Sequence, residues 1–280
     1  MFSLVGAMVT PFDEDGQIDY RCVEKLLVEL EKTGHEAVVV AGTTGEEFSL
    51  SKKEKMELLR FVKKHTKLKV WLGIQENSTQ KAEEEVRFFL SEKPDVFLVG
   101  SPSYILPTQD GLFLHFKHIA LAAEQTPIVL YNVPKRTGVS LSFSTIRRLL
   151  AIRKNIIGIK ECTADKNLFR MLKENYPDFK VWLGSDEKLF DCFPYVDGMV
   201  SVMSILFGSL MKKWVEGNGE DKILKDYLSM IAQILSSSTN PIPIKYALEK
   251  KGFESMNLRL PLTRLDYDQQ QKVDLLFSTF

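Results

Sequence analysis

Short runs of apolar, mostly branched residues recur along the chain, spaced so that one helix fits between each run and the next. They are GAMVT (6–10), AVVV (37–40), VWLGI (70–74), VFLVG (96–100), IVLYN (128–132), IIGIK (156–160), VWLG (181–184) and GMVSV (198–202). A continuous apolar run, rather than strict alternation, marks a parallel strand covered on both faces. Strand then helix, repeated eight times, predicts an α/β chain folded as a (β/α)8 TIM barrel. A doubly wound open sheet is the rival. It usually has fewer strands, and no G-x-G-x-x-G follows the first run.

The helices between the runs carry their own punctuation. In DYRCVEKLLVELEKTG, Asp19 is placed to cap the start, Val23, Leu26, Leu27 and Leu30 share one face, and Gly34 sits where a left-handed stop is needed. Ser51 and Glu54 have capping-box spacing. From about Ile205 the strand signals end, and LMKKWVEG, KILKDYLSMIAQIL, IPIKYALEKKG and DQQQKVDLLF read as further helices. The expected organisation is a barrel core over residues 1–204, with residues 205–280 packed on it as helices of the same structural unit and available for subunit contacts.

Charge and cysteine content exclude several classes of function. Lys plus Arg and Asp plus Glu number 37 each, a balance that gives no basic footprint for nucleic acid or an anionic membrane. The start MFSLVGAMVTPFDEDG is broken early by Pro11, so no signal peptide is expected, and no apolar run reaches spanning length. Cys22, Cys162 and Cys192 are odd in number and widely spaced, which fits a reducing cytoplasm better than a disulfide framework or a zinc site. HFKH places His115 and His118 on one helix face; without neighbouring ligands they read as surface histidines, and no metal is expected.

In a barrel of this kind, function sits at the C-terminal ends of the strands. Those ends carry GTTGE (42–46), SPSYILP with Tyr104, YNVPKRTG with Tyr131 and Arg136, the strand-end Lys160, and GSDE (184–187). Taken singly, most have ordinary readings as a turn, a core tyrosine or a surface arginine. Lys160 does not. A lysine ending the β-branched run NIIGIKEC needs a carboxylate partner or must be neutral, and strand alternation sends Glu161 to the other face. Desolvation lowers a lysine pKa and leaves a nucleophilic amine.

The segments GTTGE, YNVPKRTG, NIIGIKE, NPIPIK (240–245) and LRLPLT (258–263) resemble the dihydrodipicolinate synthase and N-acetylneuraminate lyase superfamily of pyruvate-dependent class I aldolases. The resemblance runs in order from Val5 to about Thr263, and YNVPKRTG with NPIPIK favours the synthase branch. It implies condensation of pyruvate with L-aspartate 4-semialdehyde toward diaminopimelate and lysine, through a Schiff base on Lys160 and without metal or organic cofactor. It further implies that Thr43 and Thr44 cradle the pyruvate carboxylate and that the Val200 carbonyl lines the pyruvate pocket. Tyr131 would carry protons, linked by Thr44 to Tyr104, which would reach into a neighbouring subunit's site. Arg136 would hold the carboxylate of the aldehyde substrate, with Gly184 and Ser185 bordering its pocket. The expected assembly is a homotetramer, with a homodimer as the minimum active unit, in the cytoplasm.

Two departures stand out. GSDE replaces the GDD or GND usual in the synthase branch and resembles the sugar-acid lyases, and Ser103 stands where many synthases have a tyrosine. The alternatives are therefore a 2-keto-3-deoxy sugar acid or N-acetylneuraminate-type aldolase and, from another class, a catalytically silent barrel acting as a binding module. Relatives sensitive to L-lysine bind it in a dimer-interface cleft. At matching positions this chain has Asn77 but also Lys52, Lys55, Lys81 and Ser103, so insensitivity to L-lysine is expected.

Overall fold

The structure is a computed structural model that describes residues 2–278. Its strands are β1 (Ser3–Ala7), β2 (Ala37–Val40), β3 (Lys69–Ile74), β4 (Val96–Gly100), β5 (Ile128–Asn132), β6 (Ile156–Glu161), β7 (Lys180–Leu183) and β8 (Gly198–Ser201). They follow chain order in one closed barrel, and the β1–β2 pair and the pairs from β3 through β8 run parallel. This is the (β/α)8 fold that the alternation predicts. Only β1 departs from its expected bounds by more than one residue, beginning at Ser3 rather than Gly6. The ladder ends early because Met8 makes its last bond, to Val39 O at 3.3 Å. Thr10 then turns its hydroxyl to Gly45 O at 2.7 Å, and Pro11 has no N–H to offer.

By internal packing the chain divides into two compact units, one formed by Lys69–Val200 and the other by Leu4–Leu68 with the chain from Ser201 onward. In the first, Leu72, Phe97, Val129, Leu130, Ile159, Val181 and Leu183 are fully buried, each contributing about 1.5–3 kcal/mol by leaving water. Leu112, Phe116 and Ile119 of the helix Gln109–Ala122 are buried as well. Two strand starts use the same device: the carboxylates of Asp95 and Asp197 accept from Val70 N and Val181 N, each at 2.8 Å. His115 is not a surface residue. It is 3% exposed, its Nδ1 lies 2.9 Å from Thr79 Oγ1, and burial pushes its pKa down to about 4. His118 is exposed beside Glu83, at 3.3 Å.

The second unit shows the helix punctuation in place. Asp19 caps Tyr20–Lys32 by accepting from Arg21 N (2.9 Å) and Cys22 N (3.1 Å), and Gly34 follows at φ +75°. Ser51 and Glu54 form the predicted capping box of Lys52–His65. The late helices Ser204–Glu216, Lys222–Leu235, Ile242–Lys250 and Tyr267–Asp274 all form. His35 joins the first of them to the early segment through Ser204 Oγ at 2.9 Å, and burial keeps it neutral by lowering its pKa to about 4. Among the described residues no helix is long and apolar enough to cross a membrane.

Candidate active site

The site is built at the ends of β5, β6 and β7. Between β5 and β6 the register slips at Ile128/Val129, so that Val129 pairs with Gly158, Tyr131 with Lys160 and Asn132 with Glu161. An irregularity of this kind re-aims the side chains that follow it. Here it sets Lys160 beside Tyr131, with Nζ 4.4 Å from the ring centroid. Lys160 is 8% exposed. Burial lowers its pKa from the ordinary lysine value; the nearby negative charge of Asp186 opposes this and the Arg136 guanidinium adds to it. Close approach is made possible by glycine twice. A Cβ on Gly158 would lie 2.5 Å from Lys180 O, and one on Gly184 would lie 2.3 Å from Cys162 Sγ and 3.0 Å from Lys160 Cε.

No carboxylate neutralises Lys160 from its own strand. Glu161, fully buried on the opposite face, accepts from Asn132 Nδ2 and from Thr163 N, both at 2.6 Å; burial raises its pKa. Asn132 in turn donates to Ser140 Oγ at 3.1 Å and accepts from Leu141 N at 3.0 Å, which pins both ends of the YNVPKRTG loop. Cys162 completes the wall: its thiol donates to Gly184 O at 3.4 Å and is hydrogen-bonded to the Tyr131 hydroxyl, while burial pushes its pKa up to about 11. The thiol is therefore protonated at neutral pH and does not compete with the amine as a nucleophile.

In the second unit, GTTGE is a buried turn rather than a surface one. Thr43–Gly45 form a single 3₁₀ turn ending at Glu46, whose φ/ψ of 55°/44° is left-handed. Thr44 is 4% exposed and its hydroxyl accepts from Asn240 Nδ2 at 2.9 Å. The Thr43 hydroxyl is buried with no hydrogen-bond partner among the described residues.

The remaining expected residues have definite places. Arg136 is exposed on the short helix Pro134–Thr137, Ser185 is half-buried after β7, and Val200 is buried in β8. Tyr104 is 91% exposed and left-handed at φ +68°. Ser103 donates from its backbone N–H and its hydroxyl to Asn77 Oδ1, at 2.8 and 3.0 Å. Lys55 is buried and paired with Glu47 at 3.3 Å rather than standing as a bare cation. The sequence reading gave no site role to Cys162, Asn132 or Asn240; Asp186 entered only within GSDE, Asn132 within YNVPKRTG and Asn240 within NPIPIK.

A desolvated lysine ending a barrel strand, over a tyrosine ring and kept apart from its neighbouring carboxylate, is the equipment of a Schiff-base (class I) aldolase or lyase. The family model described as "Dihydrodipicolinate synthetase family" matches residues 1–279, and the chain belongs to that family. A 4-hydroxy-tetrahydrodipicolinate synthase of Dehalococcoides mccartyi is 39% identical over 275 residues, covering 94% of this chain and 91% of the relative. The protein of that name from Archaeoglobus fulgidus is 36% identical, with 96% and 95% covered. Among solved structures, dihydrodipicolinate synthase from Bacillus anthracis superposes with a TM-score of 0.94 at 31% identity, covering 100% of this chain and 99% of that one. DHDPS from Cyanidioschyzon merolae, solved with lysine bound, gives 0.94 at 32% identity, with 99% and 97% covered.

Proposed function

We propose that this chain carries out the reaction for which its relatives are named, condensing pyruvate with L-aspartate 4-semialdehyde on a Schiff base at Lys160. The observation that carries this reading is the strand-end amine, 8% exposed, whose pKa burial lowers while Glu161 is occupied by Asn132 and Thr163. The neutral amine attacks C2 of pyruvate, the carbinolamine loses water, and the resulting iminium acidifies the methyl group. The enamine formed by loss of that proton then attacks the aldehyde carbon. The iminium is itself the electron sink, so the reaction calls for no metal or organic cofactor.

The other roles follow from resemblance and local chemistry. Thr43 and Thr44 receive the pyruvate carboxylate, a role favoured by the unpartnered Thr43 hydroxyl, and the Val200 carbonyl lines the pyruvate side. Tyr131 carries protons to and from the carbinolamine oxygen, with Thr44 and Tyr104 completing the relay. An exposed tyrosine on left-handed backbone, followed by exposed Ile105 and Leu106, suits a residue contributed to a second copy; the reading is a homodimer as the minimum active unit, a homotetramer as the assembly and the cytoplasm as its place. The late helices are read as part of the barrel's structural unit.

Arg136 offers a planar fork to the semialdehyde carboxylate, with Gly184 and Ser185 alongside. Arg136→Ala should lower kcat/KM for the semialdehyde roughly ten- to hundredfold through loss of a charge-assisted contact of about 1.5–3 kcal/mol, leaving pyruvate binding unchanged. A variant that condenses the semialdehyde normally would remove Arg136 from the carboxylate site, whereas a wild type that turns over a sugar acid but not the semialdehyde would be a sugar-acid aldolase, a reading that Asp186 in GSDE, close enough to act on Lys160, also suits. A panel of sugar acids and aldehydes with pyruvate decides between them.

L-lysine at millimolar concentration should leave initial rates at saturating substrates unchanged. Lys81 is exposed where sensitive relatives offer an acid, and Asn77 is already occupied by Ser103. This insensitivity comes from Lys81 more than from Lys55, whose charge Glu47 balances. Partial inhibition at sub-millimolar lysine would overturn it.

A further inference from the structure

Behind the Thr43–Thr44 turn lies a buried charge network that the chemistry above does not use. Lys245, on the helix Ile242–Lys250, is 0% exposed. Its ammonium donates to Asn257 O at 2.6 Å, pairs with the Glu46 carboxylate and lies 4.4 Å from the centroid of the Phe12 ring. Arg259 places its guanidinium 4.2 Å from that ring centroid, and its backbone N–H donates to Glu46 Oε2 at 3.0 Å. The guanidinium is itself held by Glu54, Ser49 O and Gly16 O. Glu46 thus has its carboxylate fixed from two separate segments of the late chain. Its backbone closes the turn, donating to Thr43 O at 3.2 Å, in a left-handed conformation uncommon for glutamate.

A buried ion pair is a poor source of net stability, because desolvation offsets the attraction. One whose acidic member is also the strained residue of a substrate-facing turn is better placed to fix geometry. We propose that Glu46 and Lys245 are positioning residues for the substrate carboxylate: their pair holds the turn that presents Thr43 and Thr44, and affinity for pyruvate depends on it. This rests on the reading of those threonines as the carboxylate cradle. Around Lys245, the charged or titratable groups are Glu46, Arg259 and Cys22. Burial pushes Cys22 up to about 12. Lys245 is pushed down to about 8 by burial, against the pull of Glu46, so the pair weakens as pH rises through that value.

The test is pyruvate titration with borohydride trapping on the full chain, reading the Lys160 adduct by peptide mass. Lys245→Met keeps the reach of the side chain without its charge. Glu46→Gln keeps the acceptor to Arg259 and, as the gentler change, decides the matter if the first variant does not fold. The half-saturating pyruvate concentration should rise about tenfold in Lys245→Met and severalfold in Glu46→Gln, with full labelling still reached at saturation. Lys245→Met should also remove any weakening of pyruvate binding that wild type shows between about pH 7 and 9. Wild-type labelling with unchanged half-saturation in the folded variants overturns the positioning role and leaves the function standing. Reduced maximal labelling at unchanged half-saturation overturns it as well. No adduct on the wild type removes both.

Discussion

Replacing Lys160 with methionine should abolish condensation and at the same time stabilise the fold. The activity loss should reach a thousandfold or more, on the order expected when the only covalent nucleophile is removed. The stability gain follows from linkage. Burial lowers the folded-state pKa of Lys160 below its ordinary value of 10.5, so between those two values the unfolded chain binds more protons than the folded one. Unfolding free energy then rises with pH across that window. Below the folded pKa the destabilisation by a buried ammonium is complete, and it vanishes as pH approaches 10.5. The Tm advantage of Lys160→Met should therefore be largest at acidic pH, below the folded-state pKa, and close toward alkaline pH. In the wild type, pyruvate with borohydride should label Lys160, at a rate that rises with pH and levels off below the pH where an ordinary lysine would. Label elsewhere, or none, ends the Schiff-base mechanism. A variant less stable than wild type at neutral pH would show that Lys160 is a structural residue with an unrecognised partner.

Lys160 was legible because it breaks a local rule: a lysine ending Ile156, Ile157 and Ile159 conflicts with burial, and such conflicts collect at functional sites. The strands were legible because both-face burial demands continuous branched residues. The slip at Ile128/Val129, which brings Tyr131 beside Lys160, was not, since both residues suit a strand in either register. Nor were the bonds that hold the loops. Asn240 and Thr44 are 196 positions apart and Asn132 and Glu161 are 29 apart, and nothing in a local pattern couples such pairs. His115 shows the opposite failure. Leu112, His115, Phe116 and Ile119 have the spacing of one helix face and are all buried, so the apolar stripe already contained the histidine, and its polarity concealed that. Tyr131 and Arg136 acquired roles through resemblance, because neither residue breaks a rule where it stands.

Tyr131→Phe should separate the ring of this residue from its hydroxyl. The ring, 7% exposed and 4.4 Å from Lys160 Nζ, is kept, so the lysine retains its apolar wall and its lowered pKa. The lost hydroxyl gives up its buried hydrogen bond to Cys162, whose thiol still has Gly184 O at 3.4 Å. Stability should therefore change by no more than about 1 kcal/mol. Turnover should fall about a hundredfold or more, the usual size for loss of a positioned proton carrier, because expulsion of water from the carbinolamine needs a proton delivered to its oxygen. Pyruvate affinity should hold, and borohydride should still label Lys160 to completion, only more slowly. This split, slow labelling with unchanged half-saturation, is what a proton carrier predicts and a packing role does not. Cys162→Ala supplies the control: it removes the same hydrogen bond and leaves the phenol in place. If that variant slows turnover as much as Tyr131→Phe does, the loss belongs to the disturbed wall and Tyr131 is not the carrier. If it stays near wild type while Tyr131→Phe is slow, the proton passes through the phenol.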